Sequence, residues 1–155
     1  MTVLSEAPVV QAEMLIRKPA KDVFEAFVDP AVTVKFWFTK SSGRLEAGKR
    51  VRWEWEMYGV GDDVLVTSIE PNRRIAIESS DGTRTEWEFV SRADDETFVT
   101  IKNSGFTGGG DEMVGRALDS MGGYTMVLCG LKAYLEHGVI LNVVADKAPD
   151  AHVRR

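Results

Sequence analysis

Histidine and cysteine are almost absent from this chain of 155 residues, which contains two histidines and one cysteine. The single cysteine, Cys129, excludes a disulfide within the chain, as is usual for proteins of the reducing cytoplasm. His137, His152 and Cys129 do not form a group with the spacing of metal ligands. The sequence therefore predicts a cytoplasmic protein that holds no metal and no cofactor.

Basic residues are also in the minority. The 19 lysines and arginines are outnumbered by 24 aspartates and glutamates, which gives a formal net charge of −5. Proteins that bind nucleic acids through phosphate contacts need a basic face. Here Arg50, Arg52, Arg73 and Arg74 are interleaved with acidic residues, so no nucleic-acid partner is expected.

Long apolar runs are missing as well. The nearest approaches are Val139-Ile140-Leu141 and Val143-Val144, which Asn142 separates, whereas a membrane-spanning helix needs about 20 apolar residues. The chain starts Met1-Thr2-Val3 without the basic segment and apolar run of a signal peptide. Neither a membrane span nor a signal peptide is predicted.

The chain does contain a clear succession of periodic segments. Residues 9–17 predict a first strand, which Lys18 and Pro19 end. Apolar residues at helical spacing over residues 20–27 predict a short helix. Asp29 as N-cap and Pro30 as first helical residue predict a second one. Between residues 42 and 104 the apolar period is two, with turn signals between segments, which predicts about six further antiparallel strands.

Aromatic and acidic residues alternate within two of these strands. The aromatic ones are Trp53, Trp55, Trp87 and Phe89. The acidic ones are Glu54, Glu56, Glu86 and Glu88. Paired carboxylates can perform acid–base chemistry, but alternation places these glutamates on the face opposite the aromatic rings. We interpret them as solvated surface charges, and the aromatic rings as either a ligand pocket or an ordinary filled core.

After Gly108-Gly109-Gly110 the pattern predicts one long helix from about Asp111 to His137, with Gly138 as C-cap. A glycine run before a helix can bind an anion, but the acidic first turn would repel phosphate, so we interpret the run as a joint. Cys129 is predicted to be a buried apolar residue. Residues 139–155 are apolar and then polar, which suits a partner interface or a pocket lid, but a frayed tail is favoured from Ala145 onward.

A sheet that is polar on one face must bury its other face, and the long helix is the one amphipathic element left to cover it. The sequence therefore predicts an α+β fold. A curved antiparallel sheet of about seven strands wraps around the C-terminal helix, and two short helices follow the first strand. We expect a single domain over residues 1–155, with its core at about 9–138.

Four segments carry a resemblance to a known family: residues 16–27, 35–37, 69–75 and 123–135. Together they resemble the START-related helix-grip (SRPBCC) superfamily, and within it the branch related to the activator of heat-shock-protein-90 ATPase. The resemblance implies an apolar cavity between the sheet and the last helix. Its implied lining is Trp37, Trp53, Trp55, Trp87, Phe89, Met121, Tyr124, Thr125 and Leu128. The superfamily has no single catalytic motif, so no catalytic residue is carried over.

Three functions remain open at this point. The first is a binding or carrier protein for a small hydrophobic or amphipathic ligand. The second is a cyclase- or hydratase-type enzyme in which Tyr124 and a polar strand residue, Asn103 or Ser104, move protons. The third is an interaction module, either a homodimer or a chaperone partner, that uses the short helices or residues 139–144. Tyr124 also has a purely structural interpretation, in which its ring packs in the core and its hydroxyl lies at the rim.

Overall fold

The structure, a computed structural model, describes residues 3–153. Within that range one antiparallel sheet has the strand order β1-β7-β6-β5-β4-β3-β2. Its strands are β1 (Val10–Ile16), β2 (Lys40–Ser41), β3 (Arg50–Trp55), β4 (Val60–Glu70), β5 (Arg74–Glu78), β6 (Arg84–Ala93) and β7 (Glu96–Ser104). The predicted curved seven-stranded sheet is confirmed.

The three predicted helices are present as α1 (Ala20–Val28), α2 (Pro30–Thr33) and α3 (Gly110–His137). A fourth short helix, α4 (Val143–Asp146), and 3₁₀ turns at Glu56–Tyr58 and Pro149–Ala151 were not predicted. The Asp29 carboxylate accepts a hydrogen bond from the backbone N–H of Ala31 at 3.0 Å, which is the predicted cap of α2. Gly138 ends α3 with a φ of 66°, in the left-handed region that glycine tolerates best.

The core lies between the inner face of the sheet and the helices α1 and α3. Strand β6 shows the alternation that builds it, because Thr85, Trp87 and Phe89 are buried while Arg84 and Val90 are exposed. The α1 residues that complete this core are Val23, Phe24, Ala26, Phe27 and Val28. The alternation of the sequence therefore places the large aromatic side chains inside.

The two halves of α3 differ in how they meet the sheet. Its buried residues are Val127, Leu128, Gly130 and Leu131, all in the second half. At Gly130 the helix comes so close to the turn after α2 that an added Cβ would lie 3.2 Å from the Cβ of Phe36. The part of α3 up to Met126 includes no fully buried residue, so it packs less deeply against the sheet than the part that follows.

The C-terminal end of α3 is tied to β1 by charged groups. The Lys132 ammonium donates to the Leu15 carbonyl at 2.8 Å and to the Glu136 carboxylate at 2.7 Å, and the Arg17 backbone N–H donates to the same carboxylate at 2.9 Å. Desolvation by itself would raise the pKa of Glu136, but these hydrogen bonds outweigh it, and the pKa lies below its usual value. Glu136 therefore stays ionised and fixes this end of the helix.

The C-terminal segment differs from the prediction. We call residues 139–153 the C-terminal strap, because they fold back over the 3₁₀ turn at Glu56–Tyr58. The Val153 N–H donates to the Met57 carbonyl at 2.8 Å, and the Tyr58 hydroxyl donates to the Val144 carbonyl. The predicted frayed tail is therefore wrong over residues 145–153. Its last two residues, 154 and 155, lie outside the described residues.

One residue of α3 differs from its predicted burial. Cys129 is exposed, so the prediction of a buried cysteine is wrong. Its neighbours Leu128 and Gly130 are buried, but successive side chains on a helix are about 100° apart around the axis, so Cys129 points outward.

No helix within residues 3–153 combines the length and the apolar character needed to cross a membrane.

Candidate functional site: a cleft beside the long helix

A cleft of about 730 Å³ opens beside the first half of α3. Its walls come from α3, the segment around the 3₁₀ turn and the C-terminal strap. The lining residues are Trp37, Trp55, Tyr58, Val60, Asp119, Ser120, Gly123, Tyr124, Met126, Val127, Val144, Lys147 and Ala148. The lining is mostly apolar, with a few polar groups, as is usual for small-molecule sites.

Trp37 forms the centre of an aromatic cluster at this cleft. Its ring centroid lies 4.8 Å from that of Trp53, 6.1 Å from Trp55 and 5.9 Å from Tyr124. The three pairs have tilted or edge-to-face geometries, which aromatic quadrupoles favour. The cluster gives the cleft a rigid aromatic wall, because each ring is held by its neighbours.

A short chain of polar side chains, which we call the polar network, extends from the cleft into the core. The hydroxyls of Tyr124 and Thr85 lie 3.0 Å apart. The Asn103 side-chain amide donates to the Thr85 hydroxyl at 3.1 Å and to the Arg84 carbonyl at 2.9 Å. The Ser120 hydroxyl donates to the Asn103 amide oxygen at 2.7 Å. Tyr124 and Ser120 also line the cleft, so the network contributes two hydroxyl-bearing residues to a mostly apolar lining.

Burial changes the acidity of one member of this network. Desolvation raises the pKa of Tyr124 to about 12, although the hydrogen bond with Thr85 acts in the opposite direction. The Tyr124 hydroxyl is therefore protonated throughout the neutral range. It can donate a hydrogen bond to a ligand, but it is a poor base.

We expect this shift to appear in the pH dependence of stability. Below pH 10, near the pKa of an unfolded tyrosine, Tyr124 is protonated in both states and its contribution is fully present. Between about pH 10 and pH 12 the unfolded state loses its proton first, so the free energy of unfolding should fall by about 2–3 kcal/mol. Urea titrations across this pH range measure the change. In Tyr124→Phe the free energy of unfolding should not show the fall that deprotonation of Tyr124 causes. Tyr134→Phe, which leaves the Tyr124 hydroxyl in place, should retain it; equal slopes in the two variants would contradict the assignment.

The structure separates the predicted cavity residues into three groups. Trp37, Trp55 and Tyr124 line the cleft. Trp53, Trp87, Phe89 and Leu128 lie in the buried core behind it. Met121, which is 41% exposed, and Thr125 lie on the outer side of α3 and do not line the cleft. The helical face that meets the cleft is thus rotated from the predicted one, toward Ser120, Gly123 and Val127.

Ser120 and Thr85 were not predicted as site residues, although the sequence contains signals for both. Ser120 precedes Tyr124 by four residues, so the two share one face of α3. Thr85 precedes Trp87 by two residues in β6, so it lies on the inner face of the strand. Of the polar candidates Asn103 and Ser104, the structure joins Asn103 to the polar network. The strap residues Val144, Lys147 and Ala148 had no comparable signal.

Two opposite charges lie at the cleft. Asp119 on α3 and Lys147 on the C-terminal strap both line it, and no ion pair joins either of them to another group among residues 3–153. The Lys147 ammonium lies close to α3 at Gly122, 3.5 Å from the position that a Cβ of that glycine would occupy. The same part of the chain contains no group of three or more His, Cys, Asp or Glu side chains arranged to hold a metal.

Trp87 packs behind the residues that line the cleft, and its buried indole N–H is unpaired among the described residues. Its ring centroid is 6.1 Å from Trp37 and 6.4 Å from Tyr124, and the residue is 1% exposed. The indole N–H has no hydrogen-bond acceptor among the described residues. A buried donor without an acceptor costs about 1–3 kcal/mol, so Trp87 stabilises the core through ring packing and not through its polar atom.

Comparison with known families supplies the wider context. A family model described as activator of Hsp90 ATPase homolog 1-like protein matches residues 17–136. The chain belongs to this family. No curated protein matches it. The helix-grip resemblance that the sequence indicated is confirmed.

Solved structures agree with this membership. Protein SSP2350 from Staphylococcus saprophyticus is 31% identical, with a TM-score of 0.74 over 86% of this chain and 96% of its own. The Aha1 dimer from Colwellia psychrerythraea is 20% identical, with a TM-score of 0.71 over 84% of this chain and 98% of its own. DynU16, from the dynemicin biosynthetic locus, is 20% identical, with a TM-score of 0.69 over 85% of this chain and 48% of its own. The last two likenesses show the fold alone.

Proposed function

We propose that this protein binds a small, largely hydrophobic ligand in the cleft beside the first half of α3. The observation that carries the proposal is the combination of volume and lining. The cleft measures about 730 Å³ and is lined mostly by apolar side chains. Small-molecule sites usually have volumes of about 300–1,000 Å³, an apolar lining and a few convergent polar groups.

The position of the aromatic residues supports a ligand with a flat or ring-containing body. Trp37 and Trp55 present ring surface to the cleft, and their centroids are 6.1 Å apart. Because the rings are already packed against the core, they lose little conformational freedom when a ligand covers them. Burial of apolar surface then contributes about 25 cal/mol per Å² to binding, before the cost of association is subtracted.

The chemistry of the polar network supports binding more than the cyclase- or hydratase-type alternative. Proton transfer at neutral pH is most efficient from a group whose pKa lies near 7. Burial instead raises the pKa of Tyr124 to about 12. The other members of the network, Thr85, Asn103 and Ser120, are neutral groups that orient hydrogen bonds. The network is therefore suited to holding a polar group of a ligand in one orientation.

Native mass spectrometry and tryptophan fluorescence test the proposal. We expect co-purified mass on the chain, or a saturable fluorescence change on titration with fatty acids, sterols or aromatic polyketides. Trp55 lines the cleft and Trp53 is buried, so Trp55→Phe should remove much of the ligand-dependent signal, while Trp53→Phe should keep most of it. A bare chain without any saturable response would contradict the proposed function.

A further inference from the structure

The direction of each hydrogen bond in the polar network follows from which groups can donate and which can only accept. The Arg84 carbonyl can only accept, so the group that lies 2.9 Å from it must be the Asn103 NH₂. The same NH₂ donates its second hydrogen to the Thr85 hydroxyl at 3.1 Å. The amide oxygen of Asn103 therefore faces Ser120, and the Ser120 hydroxyl must use its own hydrogen for that bond of 2.7 Å.

The hydrogen of Thr85 is fixed by the same reasoning. Thr85 is 0% exposed, and its oxygen already accepts from Asn103. The acceptor left for its hydrogen within residues 3–153 is the Tyr124 oxygen, 3.0 Å away. If Tyr124 donated instead, the Thr85 hydrogen would be buried without an acceptor, at a cost of the order of a lost hydrogen bond. Thr85 therefore donates to Tyr124.

This direction determines what the network offers to the cleft. Tyr124 accepts from Thr85, so its own hydrogen has no acceptor within residues 3–153 and is left for a ligand. Ser120 has given its hydrogen to Asn103, so its oxygen offers lone pairs. The two residues are four apart on α3, and both line the cleft. The site thus presents one donor and one acceptor on the same helical face.

We propose that the cleft selects ligands with a group that both accepts and donates a hydrogen bond, namely a hydroxyl or an amide, and holds that group between Tyr124 and Ser120. The inference rests on the proposed function and specifies its ligand class. A ketone or an ether accepts from Tyr124 but leaves Ser120 without a donor. A carboxylate has no hydrogen for Ser120 and lies near the Asp119 carboxylate, although the Lys147 ammonium at the cleft would attract it.

Calorimetric titration at pH 7 with four naphthalene probes tests this inference. The probes are 2-naphthol, 2-methoxynaphthalene, naphthalene and 2-naphthoate. We expect 2-naphthol to bind about 5–10-fold more tightly than 2-methoxynaphthalene, because one hydrogen bond is worth about 1 kcal/mol. Apolar area alone predicts the opposite order, since the methyl ether is larger and more hydrophobic.

Substitutions at Tyr124 and Thr85 test whether the polar network causes the preference for 2-naphthol over 2-methoxynaphthalene. Tyr124→Phe should bring the ratio of the two affinities close to one and leave the affinity for naphthalene unchanged. Thr85 is a positioning residue, so Thr85→Val should also reduce the ratio, whereas Thr85→Ser keeps the hydroxyl and should restore it. Thr125→Ala, on the outer side of the same helix, should retain the wild-type ratio.

The outcomes separate the inference from the function on which it rests. If the probes bind but 2-naphthol has no advantage, or if its advantage survives in Tyr124→Phe, the inference is overturned while the binding function stands. Tightest binding of 2-naphthoate, abolished by Lys147→Ala, would likewise overturn it. If no probe binds saturably, the proposed function and the inference fall together.

Discussion

Replacing Trp87 by alanine is expected to lower the free energy of unfolding by about 3–5 kcal/mol, the range for large aromatic residues removed from a core. Trp87 is 1% exposed and contacts Phe27, Trp37 and Tyr124, whose ring centroids lie 5.8, 6.1 and 6.4 Å away. The lost ring leaves a cavity behind the cleft wall. Urea denaturation, followed by circular dichroism, measures the change directly.

Two matched variants show whether ring packing is the cause. Val90→Ala lies in the same strand at a residue that is 53% exposed, and should change stability by no more than about 0.5 kcal/mol. Trp87→Phe keeps an aromatic ring and removes the buried N–H that has no acceptor. It should therefore cost much less than the alanine variant. If Trp87→Ala cost less than Trp87→Phe, the assignment of Trp87 to ring packing would be wrong.

Filling the cleft from the helix is expected to abolish ligand binding without loss of stability. A Cβ built on Gly123 meets no other atom within 4 Å, and Gly123 lines the cleft, so the side chain of Gly123→Leu would enter the cleft. Glycine inside a helix costs about 1 kcal/mol relative to a good helix former, so the variant should be at least as stable as wild type. We expect at least a tenfold loss of affinity for any fluorescence-active ligand.

The chain contains a close control for this experiment. Gly115 lies in the same helix, and a Cβ there also meets no atom within 4 Å, but Gly115 is exposed and does not line the cleft. Gly115→Leu should gain similar helix stability and bind ligand as wild type does. Equal binding by the two variants would show that the ligand lies elsewhere. Binding lost in both would indicate a general effect on α3.

Much of the fold could be predicted because it depends on local physics. The period of two over residues 42–104 and the helical spacing in α1 and α3 give the elements and their order. Asp29 before Pro30 starts α2, and Gly138 ends α3, because cap geometry needs only neighbouring residues. The inward face of β6 likewise follows from alternation alone.

The cleft could be predicted only in part, because it depends on how elements are placed relative to one another. Helical periodicity fixes the angle between two residues around the axis of α3, but not which sector faces the sheet, the cleft or the solvent. The family resemblance implied Met121 and Thr125 in the cavity, whereas Ser120 and Gly123 line the cleft. A frayed tail was predicted for the second part of the strap. The backbone hydrogen bond that holds it, from Val153 to Met57, joins residues far apart in the sequence, so no local pattern indicates it.

The sequence by itself determined the element order, the caps and the apolar strand faces, since each depends on residues a few positions apart. The tertiary structure alone decided the polar network, because Thr85 and Tyr124 are 39 residues apart and meet only through strand register and helix rotation. It also decided the size of the cleft, because α3 is held against β1 at its C-terminal end and has no fully buried residue before Val127.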